Sequence, residues 1–267
     1  MINPGDQANT LNRLPLNAPL AISLPNPINT RGGDILRVKK GQPGVIFLHS
    51  ATGGPEDFIQ ERRELAAAGI PTISVAAPYC RSRNGGRLRG LLDPVQESGL
   101  WDQTCIELND SWDFLIEAFR CAHDRIGFVG LNLGGAVGSF WLASHQGIRA
   151  AVVSGTVPEL SEFWRYSSHP VAMQARSAPG ARPDHYSKVM KDRDLIETLG
   201  ITRAREVLIQ TGIRDDWIMA DSFARLETRL AGSHDRHRIE RLDDNHEVMS
   251  SSAKKSRVEF LLQSLCR

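Results

Sequence analysis

The sequence of 267 residues is poor in cysteine and contains no long apolar run. Its four cysteines, Cys80, Cys105, Cys121 and Cys266, show no Cys-x-x-Cys spacing, which argues against a disulfide framework. No stretch reaches the roughly 18 consecutive apolar residues of a membrane-spanning helix, and no basic segment followed by an apolar one opens the chain. These absences predict a cytoplasmic protein that does not bind a membrane.

The sequence also lacks an excess of charge and a histidine pair spaced like a metal site. Its 32 lysines and arginines nearly equal its 31 aspartates and glutamates, so we expect no attraction to nucleic acid. Its eight histidines include no His-x-x-x-His pair with a carboxylate between, and we predict neither a metal nor another cofactor. The expected partner is a small-molecule substrate or ligand, bound by a monomer or a homodimer.

What the sequence does contain is an alternation of short apolar runs with helical segments. Runs of strand length lie at 20–24, 35–38, 45–48, 72–75, 126–129, 150–153, 207–209 and 238–242. Helical spacing of apolar residues occurs at 58–68, 106–119, 133–145, 219–231 and 258–266. The alternation predicts an α/β fold with a mainly parallel sheet of about eight strands, whose ligands lie beyond the carboxyl ends of the strands.

The remaining stretches divide the chain further. Residues 1–18 show no period and predict an irregular N-terminal arm, and residues 19–267 predict a single α/β domain. Two long insertions, 76–104 and 155–203, follow predicted strands and should lie on the functional rim. The second contains aromatic residues and prolines, and we expect it to form a small lid over a binding site.

Residues 126–135 predict a strand, a tight turn and a helix, with Asn132 at the apex of the turn. Gly130 and Gly134 flank it in the Gly-x-x-x-Gly spacing of a nucleophile elbow, the turn that presents one side chain above a sheet. An asparagine amide has no proton that an adjacent base can usefully remove. It therefore cannot form the acyl intermediate that serine or cysteine forms.

Three further loops follow predicted strands and complete a recognisable pattern. His49 to Gly54 follows the strand at 45–48, Asp215 and Asp216 follow the strand at 207–209, and His246 follows the last strand. With the elbow, these loops resemble the α/β-hydrolase superfamily in the chain order nucleophile, acid, histidine, and look closest to dienelactone-hydrolase-like and small esterase members.

The resemblance implies roles for individual residues. Asn132 takes the nucleophile position, His246 that of the base and Asp215 that of its orienting acid, with Asp216 as the alternative acid. The backbone N–H groups of Ala51 and Leu133 correspond to the oxyanion donors.

Further residues are candidates for contact with a substrate. Ser50 stands where the family often has glycine, and it is either a substrate contact or a turn-forming serine. Arg81 and Arg83 follow the strand at 72–75 and either recognise a carboxylate or phosphate or belong to a solvated loop. Aromatic residues that could line an apolar pocket, or simply pack in the core, are Trp164, Tyr166 and Trp217.

The functional prediction is an α/β-hydrolase-fold protein that acts on a small ester, lactone or carbonyl substrate through a His–Asp pair and a backbone oxyanion hole. Asn132 leaves several alternatives open. The chain could be a catalytically silent ligand-binding protein, a non-hydrolytic lyase or cyclase, or an esterase inactivated by a Ser-to-Asn change. Direct hydrolysis by a water that His246 activates is also open, and it should be slow because no covalent intermediate divides the reaction into two steps.

Overall fold

A computed structural model describes residues 20–23, 39–80, 94–177, 183–231 and 237–267. The strands in these ranges are β1 (Leu20–Ser23), β2 (Gln42–Leu48), β3 (Thr72–Val75), β4 (Cys121–Leu131), β5 (Ile148–Ser154), β6 (Glu206–Gly212) and β7 (His237–Leu242). Within the described ranges these seven strands form one sheet in the order β1-β3-β2-β4-β5-β6-β7. The pairing is antiparallel between β1 and β3 and parallel between all the other neighbours.

Helices fill the connections between the strands. They are α1 (Ile59–Ala67), α2 (Pro94–Phe119), α3 (Leu133–Ser144), α4 (Leu160–Tyr166), α5 (Pro170–Ser177), α6 (Pro183–Met190), α7 (Leu195–Ile201), α8 (Ala220–Ala231) and α9 (Ser251–Leu265). Short 3-10 turns precede α1 at Pro55–Phe58 and α7 at Lys191–Arg193. Among these described helices, none combines the length and the apolar character that crossing a membrane would require.

The predicted mainly parallel α/β architecture is confirmed. The apolar run at 35–38 and the arm at 1–18 lie outside the described residues. Two helices, α9 and α2, begin earlier than predicted. The helix α9 begins at Ser251, because the Ser250 hydroxyl accepts the Ala253 N–H and caps the helix. The helix α2 begins at Pro94, so its first turns fall in the segment 76–104, which we assigned to an insertion on the functional rim.

Both faces of the sheet are covered by apolar layers. The central strands are continuous apolar runs with no exposed face, as expected for parallel strands between helices. On one face α2 and α3 pack through Trp101, Leu115 and Trp141. On the other face α1 and α9 pack through Leu65 and Leu261. Because both faces of the sheet are covered, the carboxyl ends of the strands are left as the place for a site.

A buried guanidinium ties several elements together beneath the end of the sheet. Arg257 in α9 is fully buried, and its Nη2 contacts Glu61 Oε1 of α1 at 2.9 Å. Its Nη1 donates to the Val248 carbonyl at 2.9 Å, to Gln210 Oε1 at 3.1 Å and to Ser154 Oγ at 3.2 Å. One cation therefore joins α1, α9 and the ends of β5 and β6 to the loop that precedes α9.

We expect Arg257→Leu to lower the free energy of unfolding by about 3–5 kcal/mol, because it leaves the buried Glu61 carboxylate without its partner. Chemical denaturation followed by circular dichroism measures this. Adding Glu61→Leu should recover most of the loss, whereas Lys255→Leu on the exposed side of α9 should change little. A double variant no more stable than the single one would contradict this account of the pair.

Candidate active site

The turn between β4 and α3 presents Asn132 above the sheet. Asn132 has φ 50° and ψ −116°, and it is the N-cap residue of α3. The turn is possible because Gly134 lies directly on the end of β2, where a Cβ atom would meet the carbonyl oxygens of Leu48 and His49. A Cβ on Gly130 would likewise meet the backbone of Gly134. The glycines therefore allow the strand and the helix to approach closely, and Asn132, between them, adopts a positive φ.

The Asn132 amide is hydrogen-bonded at both ends. Its Nδ2 lies 2.5 Å from Nε2 of His246, and its Oδ1 accepts the Leu133 N–H at 2.6 Å. On the other side of the ring, His246 Nδ1 lies 2.7 Å from Asp215 Oδ2. Because an amide NH₂ can only donate, Nε2 is the acceptor and the ring proton sits on Nδ1, directed at Asp215.

Asp215 is held in place by the backbone of its own loop. Its Oδ1 accepts the N–H groups of Trp217 at 2.9 Å and Ile218 at 3.2 Å, which leaves Oδ2 for His246. The Asp215 and His246 side chains are 3% and 4% exposed, so the pair is screened from water. Asp216 is exposed, and Asp215 is the acid that contacts the histidine.

The loop that carries His246 is braced by a second aspartate. Asp244 Oδ2 accepts the Ser250 N–H at 2.8 Å, and Oδ1 accepts the Asn245 N–H at 2.9 Å. Burial acts to raise the pKa of Asp244, but the hydrogen bonds from Ser250 and Asn245 outweigh it and the pKa is lowered. Trp217 packs edge-on against the His246 ring, with centroids 5.1 Å apart. The imidazole is therefore fixed in position and tautomer.

The loop after β2 is organised by a different histidine. His49 Nδ1 donates to the Ser50 carbonyl at 2.7 Å, and its Nε2 accepts the Ala77 N–H at 3.0 Å. Burial lowers the pKa of His49, which keeps the ring neutral in this bridge between the ends of β2 and β3. The loop places Ala51 in a cavity wall, whereas Ser50 is buried at 6% exposure and is not part of the described wall.

A cavity of about 710 Å³, including its open mouth, lies above Asn132 and His246. The wall is mainly apolar, with side chains from α3 and from the segment 155–203: Leu133, Ala136, Val157, Leu160, Phe163 and Trp164. Besides Asn132 and His246, the polar residues of the described wall are Thr52, Glu97, His169 and Glu247.

The aromatic candidates divide three ways. Trp164 lies in the cavity wall, and Trp217 packs on His246. Tyr166 is 61% exposed and is not part of the described wall, which corrects its assignment to the pocket. A helix turns about 100° per residue, so two positions after Trp164 the side chain points to the opposite side of α4. Arg81 and Arg83 lie outside the described residues.

Two polar residues of the cavity were missed by the sequence analysis. His169 Nδ1 accepts the Val171 N–H at 3.1 Å, so its proton sits on Nε2, and burial lowers the pKa of the ring. Glu97 is 1% exposed in the first turns of α2. The sequence could have pointed to Glu97, because this residue precedes Trp101 and Leu108 at helical spacing and a carboxyl group on an apolar helix face is unusual.

A buried aspartate joins two helices of the segment 155–203. Asp194, 4% exposed at the N-cap of α7, accepts the Leu160 N–H at 2.8 Å and the Ser161 hydroxyl at 3.3 Å at the start of α4. Burial raises the pKa of Asp194 to about 7, although these hydrogen bonds act in the opposite direction.

Among the described residues, no group of three or more His, Cys, Asp or Glu side chains is arranged to hold a metal ion.

Solved structures with this architecture come from several organisms. A puromycin-hydrolyzing peptidase of Mycobacterium tuberculosis superposes with a TM-score of 0.71 at 17% identity, over 92% of this chain and 37% of the peptidase. Est1E from Butyrivibrio proteoclasticus, with ferulic acid bound, gives 0.65 at 12% identity over 94% of this chain and 96% of its own. A dienelactone hydrolase from Klebsiella pneumoniae gives 0.63 at 13% identity, over 93% and 99%. The chain has the α/β-hydrolase fold.

The α/β-hydrolase assignment made from the four loops is thus confirmed as a fold. No protein-family model matches the sequence, and no curated protein matches it either. The chain spans about 37% of the length of the peptidase it superposes on, and identities of this size carry no activity across by themselves. Function has to be argued from the site.

The Asp215–His246 contact predicts a proton resonance well downfield of the backbone amides in ¹H NMR spectra, because the Nδ1 proton lies in a short hydrogen bond to a carboxylate. Asp215→Ala should abolish this resonance, and Asp216→Ala should preserve it. A resonance that survives Asp215→Ala would contradict the geometry described here.

The raised pKa of Asp194 predicts a pH-dependent contribution to stability. The folded protein holds this proton more tightly than the unfolded chain does, so the contribution is present below the ordinary carboxyl range and is lost as the pH rises through about 7. Asp194→Asn does not titrate and should therefore gain stability relative to the unaltered chain as the pH rises from acid to neutral, by at most about 1.4 kcal/mol per pH unit.

Denaturation curves at several pH values measure the difference between the two proteins. Asp192→Asn, an exposed change on the preceding 3-10 turn, is the control and should leave the pH profile unaltered. An Asp194→Asn profile parallel to that of the unaltered chain would count against a raised pKa.

Proposed function

We propose that the protein acts on a small ester, lactone or carbonyl compound held in the cavity, with His246 as the base and Asp215 as its orienting partner. The observation that carries the proposal is the 2.7 Å contact of His246 with Asp215 behind the ring, with Nε2 turned to the elbow under an apolar cavity. The structural neighbours lend support, since their names include a puromycin-hydrolyzing peptidase and a dienelactone hydrolase.

The chemistry cannot pass through an acyl intermediate on Asn132, because its amide is not a usable nucleophile. We propose instead that His246 Nε2 takes a proton from a bound water while the water oxygen bonds to the substrate carbonyl carbon. The electron pair of the C=O bond moves to its oxygen, toward the backbone N–H groups of Ala51 and Leu133. As the C–O bond to the leaving group breaks, the histidine returns the proton to the departing oxygen.

This route needs a movement of one side chain. In the resting site the Asn132 amide occupies both the accepting nitrogen of His246 and the N–H of Leu133. A single rotation of the Asn132 side chain releases both groups together. The hydrolysis should therefore be slow, because it includes this rotation and lacks the covalent intermediate that divides acyl transfer into two easier steps.

The same contacts support a second candidate function, a ligand-binding protein without turnover. An amide at the floor of the cavity that satisfies the base and an oxyanion donor at once leaves neither of these two groups free to act on a ligand. Such a floor suits a site that holds a ligand and does not transform it. The two functions are distinguished by whether the unaltered chain turns over a ligand that it binds.

We expect Asn132→Ser to raise kcat/KM for short-chain p-nitrophenyl esters by ~10³-fold or more over the unaltered chain, because the hydroxyl restores a nucleophile next to an oriented histidine. Release of p-nitrophenol measures this, and His246→Ala in the serine background should remove the gain. Gln103→Ser, an exposed change on α2 outside the cavity, is the control for an unspecific effect of the substitution.

The outcomes separate the candidates. Weak hydrolysis by the unaltered chain that disappears in His246→Ala supports the enzyme, and binding without turnover supports the silent pocket. A correctly folded Asn132→Ser protein with no esterase activity would remove the support for His246 and Asp215 as acid–base machinery.

A further inference from the structure

A buried carboxyl oxygen without a hydrogen-bond partner lies in the cavity wall on α2, in a carboxyl group whose described hydrogen-bonding neighbour is the Trp101 side chain. Glu97 is 1% exposed and belongs to the cavity wall, together with Leu133 and Leu160. In the described part of the chain its Oε2 is completely buried and has no hydrogen-bond partner. Buried polar groups in proteins are almost always hydrogen-bonded. We therefore expect the unpaired Oε2 atom to form a hydrogen bond with a ligand in the cavity.

The cation that acts on Glu97, Arg193, makes its described contacts with other groups. Arg193 acts electrostatically on Glu97, but its Nη2 contacts Asp102 Oδ1 at 3.0 Å and its Nη1 donates to the Ser98 carbonyl at 3.3 Å. Its guanidinium also lies over the Phe140 ring, 4.4 Å from the centroid. These contacts hold the cation away from an ion pair with Glu97.

The protonation of Glu97 follows from this isolation. Burial raises the pKa of its carboxyl well above the usual range, and Trp101 and Arg193 offset the effect only in part. The uncharged acid is therefore favoured, with one O–H donor and acceptor oxygens in the same group. Such a group is complementary to a neutral partner that both donates and accepts.

We propose that Glu97 is a specificity-determining residue that receives a neutral hydroxyl group on the ligand, at the end of the cavity formed by α2. The inference rests on the proposed function in one respect, since it takes the carbonyl group of the same ligand to lie at Asn132 and His246. The ligand class is then a small, mainly apolar ester, lactone or carbonyl compound that carries a hydroxyl.

A hydroxyl fits this position better than a charged group. An ammonium group would require Glu97 to ionise inside an apolar wall, and its remaining N–H groups would need further acceptors. A hydroxyl can accept the proton of the Glu97 acid and donate to its carbonyl oxygen. Both groups then stay uncharged, and the buried Oε2 gains the contact that it lacks.

The test is equilibrium binding to the unaltered chain by isothermal titration calorimetry. The probes are methyl esters of straight-chain acids over a range of lengths, in matched sets that end in a hydroxyl, a methyl or an amino group. At the length that spans the cavity, we expect the hydroxyl ester to bind about tenfold more tightly than its methyl counterpart. A second probe set without any carbonyl, straight-chain alcohols and their methyl ethers, should show the same preference for a free hydroxyl.

Variants identify the residue responsible. Glu97→Leu should abolish the preference for a hydroxyl in both probe sets, and it should raise the melting temperature because it removes an unsatisfied buried group. Glu97→Gln keeps a neutral donor and acceptor and should retain the preference to within about threefold. Glu117→Leu, exposed on the same helix and outside the cavity, is the matched control and should leave binding unchanged.

The outcomes distinguish this inference from the proposed function. Esters that bind without a hydroxyl preference, a preference that survives Glu97→Leu, or tighter binding of the amino esters would overturn the role of Glu97 and leave the proposed function standing. Alcohols that bind through Glu97 while no ester binds would overturn the proposed function alone. Failure of both probe sets, or a lower melting temperature for Glu97→Leu, would mark Glu97 as a structural carboxyl and overturn the inference.

Discussion

The close approach of α3 to the end of β2 is the constraint on which the rest of the site depends. Gly134 lies on the carbonyl oxygens of Leu48 and His49, so the chain has to leave β4 and enter the helix within one residue. That residue is Asn132, held at φ 50° with its side chain above the sheet. The same turn places the start of α3 at the cavity wall, which contains Leu133 and Ala136, and the partial positive charge of a helix N-terminus favours developing negative charge there.

The amide at the apex of this turn engages the groups on both sides of it in the resting site. The Asn132 amide fills both the Nε2 acceptor of His246 and the Leu133 donor, so its two hydrogen bonds stabilise the elbow they occupy. Asp215 receives two backbone N–H groups besides the histidine, and Asp244 and Arg257 fix the adjoining loop. Both ring nitrogens of His246 are therefore hydrogen-bonded, and the proposed reaction needs the Asn132 side chain to rotate away from Nε2.

The elbow and the two loops that meet it could be predicted from the sequence, because each follows a strand of the parallel part of the sheet. Parallel strands bring their carboxyl ends to one edge of the sheet, so Asn132, Asp215 and His246 converge whatever the intervening segments do. The cavity wall could not be predicted in this way. Glu97 depends on where α2 begins, and the exposure of Tyr166 depends on how a helix of seven residues is rotated against its neighbours. Both are set by packing between distant segments, which local periodicity does not record.

Three buried polar groups in or near the cavity wall share one electrostatic property. His49 behind the loop and His169 in the wall have lowered pKa values, and Glu97 has a raised one, so burial drives all three toward their uncharged forms. Asp215, behind His246, has its oxygens turned to N–H groups. An ionic ligand would lose its hydration on entry and would meet these buried groups in their uncharged forms, and the other acidic side chain of the described wall, Glu247, is exposed. A neutral ligand loses less hydration free energy, and its polar atoms can form hydrogen bonds with neutral donors and acceptors. We therefore expect the buried part of the cavity to favour neutral ligands over charged ones.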